Sequence, residues 1–226
     1  MTNTVKKLSE IVLAKYHSHR EQDRFTVAIS GIDASGKGFV SNLLQKELES
    51  QNLKIANINI DPWQNPLQVR LQKENPVENF YENVFRWDDF FTQLITPLKT
   101  GGSIYLETTL IRTDADEYYP YTYEMSGIDV LLIEGIFLFK KALLNYYDLK
   151  IWIDCSFETG LGRATARNIE NLSEAKLVND YNTYYYPSQR HHLQFDEPRK
   201  FCDIIYCNDK LLGTVGQLTL NSSGAV

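Results

Sequence analysis

The sequence has few cysteines and no long apolar run. Its 226 residues include only 3 cysteines, which lie in or beside apolar runs without the spacing of metal ligands: Cys155, Cys202 and Cys207. We expect buried, reduced thiols and neither a disulfide framework nor a zinc site. No segment approaches the roughly 18 consecutive apolar residues of a membrane span, and the N-terminus lacks the apolar core of a secretory leader. The expectation is a cytoplasmic protein that does not bind membranes.

Basic residues are also in the minority. Lys and Arg total 23 against 29 Asp and Glu, which gives a net charge of −6. This balance disfavours nonspecific attraction to nucleic acid or anionic lipid, so a small molecule is the expected ligand. Hydrophobic residues make up 43% of the chain, which is enough for one globular core at this length.

Short apolar runs alternate with segments of helical spacing. The runs have strand length and are rich in β-branched residues: 25–29, 53–60, 128–135, 149–154 and 203–207, with 103–107 as a further strand. Helices are expected between them: 39–49, 156–170, 174–195, and 65–99 with interruptions at Pro76 and Pro97. This order predicts a three-layer α/β/α sandwich with a mostly parallel sheet. A helix over 1–20 should flank a core domain of 21–209, and 210–226 should form a tail.

The segment GIDASGKG (31–38) carries the strongest chemical signal. It satisfies G-x-x-x-x-G-K between a buried strand and an amphipathic helix, where backbone N–H groups and the helix N-terminus can cradle nucleotide phosphates. The residues expected to bind ATP are Gly31, Asp33, Ala34, Ser35, Gly36, Lys37, Gly38 and Phe39. Lys37 would reach the outer phosphates, whereas Gly38 replaces the Ser or Thr whose hydroxyl usually ligates magnesium. The plainer alternative is a glycine-containing turn.

Two carboxylates follow apolar strands. Glu134 closes the run 128–133, and Asp61 ends the run 53–60, so both should lie at the carboxyl edge of the sheet, where open α/β sheets bind ligands. Glu134 is therefore a candidate magnesium partner, and Asp61 a candidate base for an attacking hydroxyl and a second metal-site residue. The alternatives are a solvated strand-end acid for Glu134 and a turn former before Pro62 for Asp61.

Arg163 and Arg167 are spaced i, i+4 on a predicted helix. They should share one face, which suits two guanidinium groups that clamp a transferring phosphoryl group. A solvated surface pair is the alternative.

The order of these features resembles the uridine kinase and phosphoribulokinase family of P-loop kinases, in particular its bacterial uridine kinase-like members. The resemblance covers about residues 25–209 and includes the loop and these segments: WQNPLQVR, FYENVFRWDDFFTQLITPL, LLIEGIFLF, DLKIWIDCSFETGLGRATARN, YYYPSQRHHL and FCDIIYCND. It implies a P-loop NTPase fold of the kinase type with a helical lid, ATP as co-substrate, Mg²⁺, and a homodimer. By this resemblance Asp61 matches the catalytic base, Glu134 the second acidic metal-site residue, and Arg163 and Arg167 the mobile lid arginines. Candidate substrate contacts are Arg112, Tyr81 and Arg190.

The chain departs from the family pattern at Gly38 and in segment 104–124, which lacks the histidine expected beside a bound nucleoside. The leading expectation is an ATP-dependent kinase that transfers the γ-phosphoryl group to a hydroxyl, with a nucleoside as the acceptor. Two alternatives stay open. One is a nucleotide-binding regulatory protein with weak or no kinase activity owing to Gly38. The other is a kinase for a non-nucleoside alcohol such as pantothenate or a sugar phosphate.

Overall fold

A six-stranded sheet forms the centre of the molecule. The computed structural model describes residues 2–19, 22–112, 116–168 and 171–221. The strands are β1 (Phe25–Gly31), β2 (Ile55–Asn59), β5 (Val130–Gly135), β6 (Leu149–Asp154), β7 (Ile204–Cys207) and β8 (Leu218–Leu220), in the order β2-β5-β1-β6-β7-β8. All neighbouring pairs are parallel except β7 with β8. The predicted mostly parallel sheet is therefore confirmed.

Helices cover both faces of this sheet. On one face, α1 (Thr2–Ser18) and α2 (Lys37–Glu49) pack against alternate strand residues such as Val27 and Ile29. On the other face, Ala28 and Leu131 belong to a second cluster that includes residues of α4 (Pro76–Asn83), α6 (Thr96–Gly101), α7 (Phe157–Arg167), α8 (Glu174–Asp180) and α9 (Tyr186–Phe195). The chain also forms the short helices α3 (Leu67–Arg70), α5 (Trp87–Asp89) and α10 (Pro198–Phe201). Because both faces are covered, β1 and β5 are buried along their whole length, as expected for parallel strands in three layers.

The predicted strand at 103–107 belongs to a separate hairpin. Strand β3 (Ile104–Ile111) pairs with β4 (Tyr118–Met125), antiparallel, in a two-stranded sheet outside the central one. Burial alternates along most of β3, because one face packs on the core and the other faces solvent. The β4 strand was not predicted.

Pro97 does not interrupt a helix, so that prediction was wrong. Helical structure runs without a break from Trp87 to Gly101, with a π-helical segment over Phe90–Ile95 that ends two residues before Pro97. A second π-helical segment, Tyr181–Tyr185, precedes Pro187 between α8 and α9. Proline has no N–H to donate and its ring crowds the preceding turn, and a wider turn accommodates both effects. Pro76 instead begins α4, where no N–H is needed.

The segments predicted to flank the core domain both contribute to it. Val5, Leu8 and Val12 of α1 belong to the same core cluster as the sheet. Part of the predicted tail belongs to the sheet, because β8 lies within residues 210–226 and pairs with β7. The boundary predicted at 20–21 and the end of the chain from 222 lie outside the described residues. Among the helices that the structure describes, none has the length and apolar character needed to cross a bilayer.

Candidate active site

The predicted phosphate loop lies between β1 and α2, at the carboxyl edge of the sheet. Residues 32–36 form the turn, and Gly36 before α2 has φ 96°, a conformation that favours glycine. A Cβ atom at Gly36 would also clash with Asn208 Nδ2. Lys37, 8% exposed, donates from Nζ to the Ile32 carbonyl across the loop at 2.8 Å. The lysine is thus held over the concave side of the loop.

Distant residues hold the loop from outside. Asn208 Nδ2 donates to the Ser35 carbonyl at 2.6 Å. The Asp33 amide donates to Gln189 Oε1 at 2.9 Å, and Gln189 Nε2 donates to Asp33 Oδ2 at 2.7 Å. The loop motif gave no signal for Gln189 or Asn208, because each lies more than 150 residues along the chain.

Asp61 and Glu134 come together on neighbouring strands. Asp61 begins a 3₁₀ turn after β2, and the register of β2 and β5 places Asn59 opposite Glu134. Both carboxylates line one cleft of about 730 Å³ together with Lys37 and the loop. The structure therefore brings the two predicted carboxylates to the predicted loop.

The electrostatics of this cleft oppose negative charge. Burial, and then the neighbouring Asp61 charge, raise the pKa of Glu134 to about 7, although Lys37 and Arg167 act in the opposite sense. Burial also raises the pKa of Asp61, with Lys37 opposing the shift and the Asp33 charge adding to it. Two carboxylates that share a desolvated site resist ionising together, so the site would be relieved by a cation.

The donor set for a cation is small. Within the described ranges, no group of three or more His, Cys, Asp or Glu side chains is arranged to hold a metal ion. Glu134 nevertheless packs against the loop, since a Cβ atom at Gly38 would lie 3.3 Å from Glu134 Oε1. Carboxylate oxygens and waters are ligands that Mg²⁺ accepts, and it usually takes only one or two carboxylates from a protein. Asp61 and Glu134 therefore fit a magnesium site in number and chemistry.

The two arginines predicted to act as a pair are separated. Arg167, exposed at the end of α7, lines the cleft. Arg163 does not: its Nη2 donates to the Asn208 carbonyl at 2.8 Å, and its Nη1 lies 3.3 Å from the Ser35 carbonyl. Side chains on a helix lean toward its N-terminus, and this carries Arg163 under the loop. In this structure one predicted arginine therefore lines the cleft and the other braces the loop, and the two-arginine clamp stays a prediction.

None of the predicted substrate contacts lines the cleft. Tyr81 is 3% exposed and its hydroxyl donates to Asp196 in the core. Arg190 is exposed, with its guanidinium carbon 4.0 Å from the centroid of the Phe157 ring. Arg112 is exposed at the end of β3. The cleft wall is instead supplied by residues that the sequence did not single out: Gln64, Leu67, Arg70, Phe80, Val84, Asp116, Tyr181 and Tyr185.

The sheet order and the loop between β1 and α2 define a P-loop protein of the kinase type. A family model, "Phosphoribulokinase / Uridine kinase family", matches residues 26–172. This match covers more than half of the chain, so the protein belongs to the phosphoribulokinase and uridine kinase family, and the predicted resemblance is confirmed.

Individual relatives agree with this assignment. A protein named uridine kinase from Staphylococcus aureus (strain JH9) is 28% identical over 188 residues, 79% of this chain and 85% of its own. A solved structure described as a possible uridine kinase from Bacillus stearothermophilus is similar with a TM-score of 0.72 at 21% identity, over 90% of this chain and 97% of that one. The D-glycerate 3-kinase of Cryptococcus neoformans has the same fold, with a TM-score of 0.68 at 13% identity, over 96% of this chain and 99% of that one.

Proposed function

We propose that this protein is an ATP-dependent phosphotransferase that moves the γ-phosphoryl group to a hydroxyl of a small molecule. The observation that carries the proposal is the convergence of Lys37, Asp61 and Glu134 on one cleft at the carboxyl ends of β1, β2 and β5. A protein that only binds nucleotide has no evident use for a carboxylate at Asp61, whereas phosphoryl transfer to an alcohol requires a proton acceptor.

The residues divide the work between positioning and charge. The loop amides and Lys37 bind the phosphates, and Asp61 accepts the proton of the attacking hydroxyl. A new P–O bond forms to that hydroxyl oxygen as the bond between the β- and γ-phosphates breaks, and ADP leaves with the electron pair of that bond. Arg167 at the cleft offsets charge on the transferring group. When bound, Mg²⁺ would neutralise phosphate charge, and Asp61 and Glu134 are the residues that would hold it.

The support of the relatives for a nucleoside acceptor consists of their names. The curated relatives are named uridine kinases at 28% identity, and this similarity alone favours a nucleoside. A protein with the same fold is named for D-glycerate, so the fold suits other alcohols. The homodimer suggested by family resemblance stays a prediction, which light scattering on the purified protein would test.

A coupled ADP-release assay tests the proposal. Mg-ATP would be supplied with nucleosides, pantothenate, glycerate and pentose phosphates in turn. We expect turnover with one acceptor class, and a loss of about 10²–10⁴-fold in Asp61→Asn with ATP affinity retained. Asp88→Asn, an exposed carboxylate outside the cleft, is the matched control and should behave as wild type.

Two results would count against the proposal. Acceptor-dependent turnover that survives in Asp61→Asn would remove Asp61 from the chemistry. Tight ATP binding without phosphorylation of any acceptor would favour the regulatory alternative, in which Gly38 has weakened catalysis.

A further inference from the structure

Arg70 is a buried cation on the wall of the cleft. It is the last residue of α3 and only 5% exposed, yet it lines the cleft. Its Nε donates to the Asn65 carbonyl at 3.0 Å. Among the described residues, no carboxylate oxygen lies within 4.0 Å of its guanidinium nitrogens. The charge of Arg70 therefore has no ion-pair partner in this part of the chain.

A buried charge with no ion-pair partner among the described residues calls for an anionic ligand. Removing an ion from water costs several kcal/mol even after relaxation, and a guanidinium group cannot relieve this by losing its proton. The bond to Asn65 uses one of the five N–H donors of Arg70. The planar fork of the remaining donors matches two oxygens of a carboxylate or a phosphate.

The surroundings of Arg70 suit a hydroxylated molecule. Gln64 lines the same cleft, and its Oε1 atom is buried without a hydrogen-bond partner among the described residues. A hydroxyl group can donate to that oxygen. Asp116, a nearby carboxylate of the cleft, accepts from the Leu67 amide at 2.9 and 3.1 Å through its two oxygens. Neither of its oxygens lies within 4.0 Å of the Arg70 guanidinium nitrogens.

Arg70 and Asp61 can contact one small molecule. The Arg70 guanidinium is bonded to the carbonyl of Asn65, and Asn65 lies only four positions after Asp61. Four extended residues span at most about 14 Å, and the turn that begins at Asp61 shortens this path. A single acceptor can therefore place one hydroxyl at Asp61 and a second group at Arg70.

We propose that the acceptor carries an oxyanion, a carboxylate or a phosphate, that Arg70 binds through its guanidinium group. This substrate class rests on the proposed phosphotransferase function. Hydroxy acids and phosphorylated sugars supply both a hydroxyl for Asp61 and an anion for Arg70. A neutral nucleoside would supply no anion to the buried guanidinium group of Arg70.

Kinetics with paired acceptors test this inference. D-glycerate and pantothenate supply carboxylates, ribose 5-phosphate supplies a phosphate, and ribose and uridine are neutral. We expect the highest kcat/KM with an anionic acceptor. Arg70→Gln should raise the KM for that acceptor about 10- to 100-fold, as expected when a charge-assisted hydrogen-bond pair is lost. It should leave kcat and the KM for ATP within about threefold.

Two further variants separate binding from folding. Arg70→Lys retains the charge without the fork, so its KM for the anionic acceptor should lie between those of wild type and Arg70→Gln. If Arg70→Gln does not fold, the KM of Arg70→Lys for the anionic acceptor tests the inference in its place. Lys73→Gln removes the same charge from an exposed position outside the cleft and should match wild type with every acceptor.

The outcomes distinguish this inference from the proposed function. If uridine is the best acceptor and Arg70→Gln leaves its KM unchanged, the inference is overturned while the phosphotransferase stands. If no acceptor is phosphorylated, the proposed function fails, and calorimetric titration of D-glycerate and ribose 5-phosphate in the presence of ADP decides the rest. Binding that Arg70→Gln abolishes supports an oxyanion site, and no binding to wild type overturns it.

Discussion

Replacing Arg163 and Arg167 one at a time separates the support of the phosphate loop from the chemistry in the cleft. Arg163→Met keeps the aliphatic part of the side chain but removes the charged donor to the Asn208 carbonyl at 2.8 Å. Hydrogen bonds from charged groups contribute about 1.5–3 kcal/mol. The Nη1 contact at 3.3 Å is too long to add much, and the Ser35 carbonyl keeps its bond from Asn208 Nδ2.

The expected loss is therefore about 2 kcal/mol in the free energy of unfolding. For a chain of this length, this corresponds to a fall of about 4–8 °C in Tm. Because Arg163 braces the loop that binds phosphates, ATP affinity should also fall several-fold.

Arg167→Met should have the opposite profile. Arg167 is exposed and has no ion pair or hydrogen bond with the described residues, so the free energy of unfolding should change by about 0.5 kcal/mol or less. Its charge faces the cleft, and loss of one electrostatic stabiliser there should lower kcat by about 10²–10³-fold.

Thermal unfolding followed by circular dichroism, together with steady-state ADP release with the best acceptor, measures both variants. Each variant serves as the control for the other, since the same charge is removed one helical turn away. The reasoning is refuted if Arg163→Met leaves Tm unchanged, or if the two variants lose stability and kcat to the same extent.

Three further predictions concern the cleft and the core behind it. The pKa of Glu134 is raised to about 7 in the folded protein, from about 4.5 when unfolded. Protonated Glu134 therefore stabilises the folded state fully below pH 4.5, and this stabilisation is lost as the pH rises through 7. In urea unfolding, the free energy of unfolding of Glu134→Gln relative to wild type should therefore increase by roughly 1–3 kcal/mol from pH 5 to pH 8. The same relative stability at both pH values would contradict this. Gly38→Ser places a hydroxyl beside Glu134 Oε1. Calorimetric titrations should therefore show a several-fold rise in the ratio of ATP affinity with Mg²⁺ to ATP affinity without it. An unchanged ratio would argue against a metal site here. Asp196 accepts hydrogen bonds from Tyr81 and His192 in the core. Asp196→Ala should lower the free energy of unfolding by about 3 kcal/mol or more, because these buried donors lose their acceptor. A loss below about 1 kcal/mol in chemical denaturation would refute that role.

Much of the fold was predictable because its signals are local. The buried strands read as continuous apolar runs, and burial on both faces leaves no alternation to confuse them. The hairpin of β3 and β4 was harder to identify, since its strands are half exposed and its pairing involves residues up to 21 positions apart, as for Ile104 and Met125. Pro97 misled the sequence interpretation because a π-helical turn can absorb a proline, and nothing in the residue pattern indicates that turn.

The sequence by itself determined the loop and the two carboxylates. The loop needs only contiguous residues, with glycine at Gly36 where φ is positive, and the ends of parallel strands meet at one edge wherever the helices lie. This is enough to place Asp61 and Glu134 beside the loop.

Only the tertiary structure decided which other side chains reach the cleft. Arg163 and Arg167 look equivalent in the sequence, but packing turns one under the loop and the other toward the cleft. Arg70 lies in one of the segments that carry the family resemblance, but the sequence assigned it no role, and its importance comes from burial without an ion-pair partner among the described residues. The direction of a side chain and the partner it lacks depend on contacts between distant segments, and local sequence does not encode them.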